Sequence, residues 1–185
     1  MRQRTLLVAA LCTLAIAALV GATTASAASP HFKKNGSPTC TINGGTSSAS
    51  VVCTGSLSGL GNGDVDLVTT VSGFAVYQCQ NAGGNTAPGQ NRVLTGPVSE
   101  PTHIPGSEIK NGNLTFVTDP ATLTAASTVS GQAAGCPNPN WTGVNPRLTV
   151  TDISLTISQG GSLLFTCSAS NPNGFSSGTT VALTC

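Results

Sequence analysis

Two aspartates near the middle of the chain have the chemistry of a cation site. Asp64 and Asp66 are two residues apart in a run that alternates like a β-strand, so both carboxylates point to one side. Two carboxylates with nearby carbonyl oxygens could bind calcium. The chain lacks the acidic loop motif of EF-hands. We therefore favour the alternative that the pair is a solvated strand edge, on which charge opposes aggregation.

Histidine could supply hydrolytic chemistry. His103 lies in the proline-bracketed segment 100–105, and His31 lies near the predicted start of the mature chain. A serine hydrolase needs Ser, His and Asp brought together, and no G-x-S-x-G elbow occurs. No spacing marks two of the acids as a glycosidase pair. We expect no catalytic residue, no metal site and no cofactor.

Two Asn-rich loops, residues 79–91 and 135–142, are the most distinctive polar segments. Amide side chains around an exposed aromatic ring suit a neutral polar ligand such as a sugar. The alternative is that Asn, Gly and Pro simply form turns here. The candidate ligand-binding residues are Asn81, Asn85, Gln90, Asn91, Asn138, Asn140 and Trp141.

Six cysteines follow the N-terminal segment, and an even number in an exported chain predicts three disulfides. No C-x-x-C or C-x-H spacing indicates a metal site. Two Cys-containing runs resemble each other as hairpins, which favours the pairs Cys40–Cys53 and Cys167–Cys185. By elimination Cys79 pairs with Cys136, which would place the two Asn-rich loops side by side.

Short runs rich in Thr, Val and Ser alternate with Gly, Pro and Asn clusters, which predicts an all-β domain. We expect bulges at Gly73 and near residues 151–152, where the apolar parity changes. The spacing favours a disulfide-stapled β-sandwich of immunoglobulin-like, Greek-key type, with its topology left open. The predicted strands cover residues 39–43, 48–56, 64–80, 114–117, 148–157, 163–168 and 179–185.

The N-terminus has the pattern of a secretory signal peptide. Arg2 and Arg4 precede an apolar run over residues 6–20, and small residues lead to an Ala25-x-Ala27 cleavage pattern. The alternative, a membrane anchor, needs about 18 or more apolar residues. We predict a signal peptide at 1–27, a mobile leader at 28–38 and one domain at 39–185. Cleavage would also remove Cys12.

Charge restricts the choice of partners. Cleavage removes two of the seven basic residues, so five remain against six acids and the formal charge changes from +1 to −1. Only 7% of all residues are charged. This composition argues against nucleic acid and against an anionic membrane surface as partners. We expect no membrane insertion after cleavage, and a neutral polysaccharide or cell-surface component as the partner.

Several segments carry a family resemblance: residues 60–65, 79–85, 87–91, 109–113 and 134–142. These segments resemble small secreted proteins of actinobacteria whose function is unknown. The resemblance spans most of the mature chain. It implies secretion, and it implies no activity.

Two functions of different classes remain. The first is an extracellular binding module that recognises a neutral polar ligand, such as a glycan, through the two Asn-rich loops. The second is a secreted structural, envelope-associated or inhibitor-like interaction protein without a small-molecule site.

Overall fold

The computed structural model describes residues 29–185. The predicted signal peptide, its cleavage site, Cys12 and the first residue of the predicted leader lie outside this range. The described chain folds into strands joined by turns, with one helix of four residues and one turn of 3-10 helix at Gly106–Glu108. The elements are β1 His31–Phe32, β2 Thr39–Gly44, β3 Ser48–Ser58, β4 Val65–Gln80, β5 Thr86–Pro88, β6 Val93–Ile104, β7 Asn113–Val117, β8 Ala121–Thr124, β9 Val129–Ser130, α1 Gly131–Ala134, β10 Thr142–Gln159, β11 Ser162–Phe175 and β12 Thr180–Ala182.

The first sheet is built around β3. This strand forms the predicted hairpin with β2, in which Cys40 lies directly opposite Cys53. It also pairs with β1, β7 and β8, and β12 extends the sheet beyond β2. All these pairings are antiparallel.

The second sheet is built around the long strands β4 and β10. β11 pairs with β10, and β5 and β6 pair with β4. Both predicted bulges are confirmed, one between Val71 and Gly73 and one between Val150 and Asp152. A Cβ atom at Gly73 would overlap the carbonyl oxygen of Thr149, so the close approach of β4 to β10 requires glycine there.

The two curled sheets enclose one main core, as the period-two pattern requires. Alternate residues of β4 and β10 point into it, with Leu67, Val71 and Leu155 fully buried. Burial of one such side chain stabilises the fold by about 1.5–3 kcal/mol. A smaller cluster around Tyr77, Cys79 and Ala134 lies at one end of the second sheet. The fold is therefore all-β, as predicted, whereas the immunoglobulin-like assignment stays a prediction.

All three predicted disulfides are present, joining Cys40 to Cys53, Cys79 to Cys136 and Cys167 to Cys185. The predicted C-terminal hairpin is wrong. β12 pairs with β2 of the first sheet instead of with β11, and only Thr184 bridges back to Ser168. The last disulfide consequently joins β11 of the second sheet to the residues that follow β12 of the first sheet.

The predicted boundary at residue 39 is also corrected. His31 and Phe32, which the prediction placed in a mobile leader, pair with the end of β3. The ring of Phe32 lies 4.6 Å from that of Phe165, so an aromatic contact anchors this segment. Between residues 29 and 185, no helix has the length and apolar character needed to cross a membrane.

Candidate functional site

The two aspartates share one side of the second sheet, as the sequence predicts, and they face a histidine. His103 lies opposite Asp66 in the pairing of β6 with β4. Its Nδ1 is 2.7 Å from Asp66 Oδ1, and its Nε2 is 3.9 Å from Asp64 Oδ2. The hydrogen bond to Asp66 raises the pKa of His103 above its ordinary value. Sequence reasoning missed this contact because the pairing of β6 with β4 was not predicted.

His103, Asp64 and Asp66 together have the properties of an exposed ion pair. Both carboxylates and the ring are about half exposed, which weakens their attraction. Asp64 Oδ1 also accepts a hydrogen bond from the backbone N–H of Gly106 at 2.7 Å, which holds the turn after β6. In the described part of the chain, no group of three or more His, Cys, Asp or Glu side chains could hold a metal ion.

The two Asn-rich loops meet at the smaller hydrophobic cluster. The disulfide Cys79–Cys136 joins them. The backbone N–H groups of Gln90 and Asn91 donate to the carbonyl oxygen of Ala134, at 3.0 and 3.1 Å. Asn91 Nδ2 also donates to carbonyl oxygens of the short helix α1. The structure thus brings 79–91 and 135–142 together, as the predicted disulfide requires.

Most of the candidate amide side chains are used to hold their own loops. Asn81 Oδ1 accepts from the N–H of Asn85, and Asn138 Oδ1 accepts from the N–H of Asn140, both at 2.9 Å. Gln90 Nε2 donates to a carbonyl two residues earlier. These contacts are those expected of turn-forming residues. The side chains of Asn85 and Asn140 are exposed, and no hydrogen bond engages either within residues 29–185.

Trp141 is half-buried and packs against the smaller cluster. The backbone N–H of Trp141 donates to the carbonyl oxygen of Asn138, closing a turn. Because the indole packs against this cluster, only part of its face is open to a ligand.

A cleft that sequence reasoning missed lies beside the first loop. The register of β10 against β4 shifts between Val144, which pairs with Gln78, and Arg147, which pairs with Val76, so Asn145 and Pro146 form a bulge opposite Tyr77. Asn145 adopts a left-handed backbone conformation with φ 51°, which Asn tolerates better than most residues. Its Nδ2 donates to Gln78 Oε1 at 3.0 Å. A proline inside an interior strand was the signal of this bulge.

We call this site the bulge cleft. It consists of two adjoining concavities of about 240 and 320 Å³ that share Gln78, Asn145 and Arg147. β5 and Gly89 form one wall, and the turn at Thr46–Ser47 forms the other. The cleft is lined by Thr46, Ser47, Val76, Tyr77, Gln78, Thr86, Ala87, Pro88, Gly89, Asn145, Pro146 and Arg147.

The lining combines polar groups with small apolar surfaces. Planar amides at Gln78 and Asn145 can donate and accept hydrogen bonds, and Arg147 adds hydrogen-bond donors and a positive charge. Pro88 and Val76 provide apolar contact. Among residues 29–185, no carboxylate lines the cleft. A few directional polar groups in a concave site are typical of small-molecule binding.

A third concavity, of about 240 Å³, lies on the outer face of the second sheet and contains Asp152 among serine and threonine hydroxyls. Ser170 and Thr151 donate to this carboxylate at 2.6 and 2.7 Å. These hydrogen bonds hold the pKa of Asp152 below its ordinary value, and the bond from Ser170 has the largest effect. Because both carboxylate oxygens already accept intramolecular hydrogen bonds, this site is less open to a ligand than the bulge cleft.

Comparison with known proteins assigns this chain to no family. No family model matches the chain, and none of the curated proteins matches it significantly in sequence.

Proposed function

We propose that this protein is an exported extracellular binding module whose bulge cleft recognises a saccharide. The observation that carries the proposal is the two-residue bulge at Asn145 and Pro146, which interrupts the pairing of β10 with β4 and places amide groups at a concave site. Sugar hydroxyls both donate and accept hydrogen bonds, as the amides of Gln78 and Asn145 do.

The proposal moves the expected site from the loops to the sheet next to them. β5, which lies within the loop 79–91, forms one wall of the cleft. The disulfide Cys79–Cys136 and the hydrogen bonds of Gln90 and Asn91 to Ala134 hold this loop in place. The Asn-rich loops then act as rigid supports of the cleft, which reduces the entropy lost on binding.

Export is part of the proposal. Three intramolecular disulfides are typical of proteins in oxidising compartments. The predicted signal peptide and the resemblance to secreted actinobacterial proteins agree with this. N-terminal sequencing of the protein recovered from culture medium should begin at Ala28, whereas a protein retained in the cytosol with residue 1 intact would contradict export.

A structural or protein-interaction role is the second candidate. The hydrogen bonds of Asn81 and Asn138 to their own loops favour it, because those side chains need no ligand to explain their presence. Under this role, no saccharide binds to the bulge cleft.

Calorimetric titration of the full chain with a panel of oligosaccharides separates the two candidates. Gln78→Ala and Asn145→Gly each remove one amide, and glycine keeps the positive φ of residue 145. We expect each variant to weaken binding about five- to thirtyfold, the effect of one or two hydrogen bonds.

Asn85→Ala and Asn140→Ala are the matched controls, since both remove an exposed amide outside the cleft. They should leave the affinity unchanged. If the loop variants lose binding and the cleft variants keep it, the binding site is the Asn-rich loops. If no saccharide binds to the wild-type protein, the structural role replaces the proposed one.

A further inference from the structure

We propose that the saccharide bound by the bulge cleft is acidic and that Arg147 binds its carboxylate. This inference rests on the proposed function of the cleft and names the chemical class of its ligand. The acidic ligand replaces the neutral one expected from the low overall charge. The reason is that the cleft carries a local positive charge, that of Arg147, which the net charge of the protein does not reflect.

Arg147 is the cation of the cleft, and it has no counter-ion there. The residue lies where the register of β10 resumes after the bulge, and it lines both concavities. From residue 29 to residue 185, no hydrogen bond or ion pair engages its guanidinium. The contacts of Arg92 differ: it donates to the carbonyl oxygen of Pro172 and its guanidinium lies 4.3 Å from the ring centre of Phe74.

The groups beside Arg147 also favour a ligand rich in acceptors. The bond from Asn145 Nδ2 to Gln78 Oε1 uses one donor and one acceptor. It leaves the Nε2 of Gln78 available to donate and the Oδ1 of Asn145 available to accept. Together with the planar fork of a guanidinium, this array matches a carboxylate flanked by hydroxyl groups.

The position of the cleft favours a saccharide over an acidic peptide. Peptides commonly bind by adding a strand to a free sheet edge. The cleft lies over β4, between β5 and β10, and both edges of β4 are paired at Gln78, whereas the free edge of β5 is the side that faces away from β4. Hydroxyl groups of Thr46, Ser47 and Thr86 line the walls and can bond to sugar hydroxyls.

The test compares sugar oligomers that differ only in the carboxyl group. Trimers of glucuronic, galacturonic and mannuronic acid are titrated into the full chain with its disulfides intact, each beside its carboxyl-reduced form. We expect at least one acidic trimer to bind tenfold or more tightly than its reduced form, as a charge-assisted bidentate contact implies.

Substitutions of Arg147 assign that difference to one side chain. Arg147→Gln should abolish the preference for the acidic trimer, and Arg147→Lys should leave a smaller one, because lysine keeps the charge but lacks the bidentate fork. Lys34→Gln is the matched control: it removes one exposed positive charge outside the cleft, and the preference should persist.

Each contrary outcome is distinct. Equal binding of acidic and reduced trimers overturns this inference and leaves the saccharide function standing. Binding of neither form overturns the proposed function as well. Tighter binding of an Asp- and Glu-rich peptide than of any trimer shows that the partner is an acidic peptide, which also overturns the inference.

Discussion

At the scale of single residues, His103 has the clearest electrostatic signature. Its Nδ1 contacts Asp66 at 2.7 Å, and this hydrogen bond raises its pKa. A raised pKa in the folded state means that the interaction stabilises the fold below the unfolded-state pKa of about 6.5 and loses this effect as the pH rises through the folded-state pKa. The effect requires Asp66 to be ionised.

We expect Asp66→Asn to lower the pKa of His103 towards its ordinary value. The variant should be less stable than the wild type near pH 6, and the difference should shrink as the pH rises through the folded-state pKa of His103. NMR titration of the imidazole and urea denaturation at several pH values measure both effects. Asp119→Asn, an exposed aspartate with no contact to His103 among the described residues, is the control. An unchanged His103 pKa in Asp66→Asn would contradict the assignment.

Gly73 allows the close approach of β4 to β10 in the second sheet. Because a Cβ atom there would overlap the carbonyl oxygen of Thr149, Gly73→Ala must push β4 and β10 apart. We expect a loss of about 1–3 kcal/mol in the free energy of unfolding, the usual cost of overpacking. Gly45→Ala, whose new methyl group meets no atom within 4 Å, should change stability by less than about 0.5 kcal/mol. Equal losses in the two variants would contradict this account.

At the scale of elements, the three disulfides close loops of different length. Cys79–Cys136 spans 57 residues, and Cys40–Cys53 spans 13. In the chain-entropy model the first should stabilise by about 4 kcal/mol and the second by about 3 kcal/mol. We therefore expect the double Cys→Ser variant at 79 and 136 to lose more stability in chemical denaturation than that at 40 and 53. The opposite order would show that native-state packing, and not loop length, sets these contributions.

Local sequence pattern predicted the elements that are long and regular. Residues 65–80 alternate with period two and are interrupted once by glycine, so both the strand and its bulge followed from the pattern. β6 was missed because Pro97 and Pro101 interrupt it. Proline is tolerated there because, among the described strands, β6 pairs only with β4, so its outer edge needs no ladder of hydrogen bonds.

Two errors at this scale have the same origin. The C-terminal run was expected to pair with β11, its neighbour in sequence, and residues 31–32 were expected to pair with nothing. In the structure both add to the first sheet, through β2 and β3. Long-range pairing depends on which sheet edge is free after the other strands have folded, and one segment's pattern carries no such information.

At the scale of the whole molecule, the candidate site was only partly predictable. The disulfide Cys79–Cys136 correctly placed the two Asn-rich loops together. The bulge cleft requires the register of β10 against β4, which pairs Gln78 with Val144 and so brings it within hydrogen-bond distance of Asn145, 67 residues away in sequence. A turn-forming Asn and an Asn that bonds to a neighbouring strand look alike in sequence, and only the structure shows that Asn81 bonds within its own loop whereas Asn145 bonds to Gln78 of β4.

The most direct test of the account is to map the bound saccharide onto the backbone by amide chemical shifts. The isotope-labelled full chain is titrated with the oligosaccharide that binds it most tightly. We predict the largest shifts at non-proline residues that line the bulge cleft, namely Gln78, Thr86, Ala87, Gly89, Asn145 and Arg147. Shifts centred on residues 138–141, or no shift with any saccharide, would contradict it.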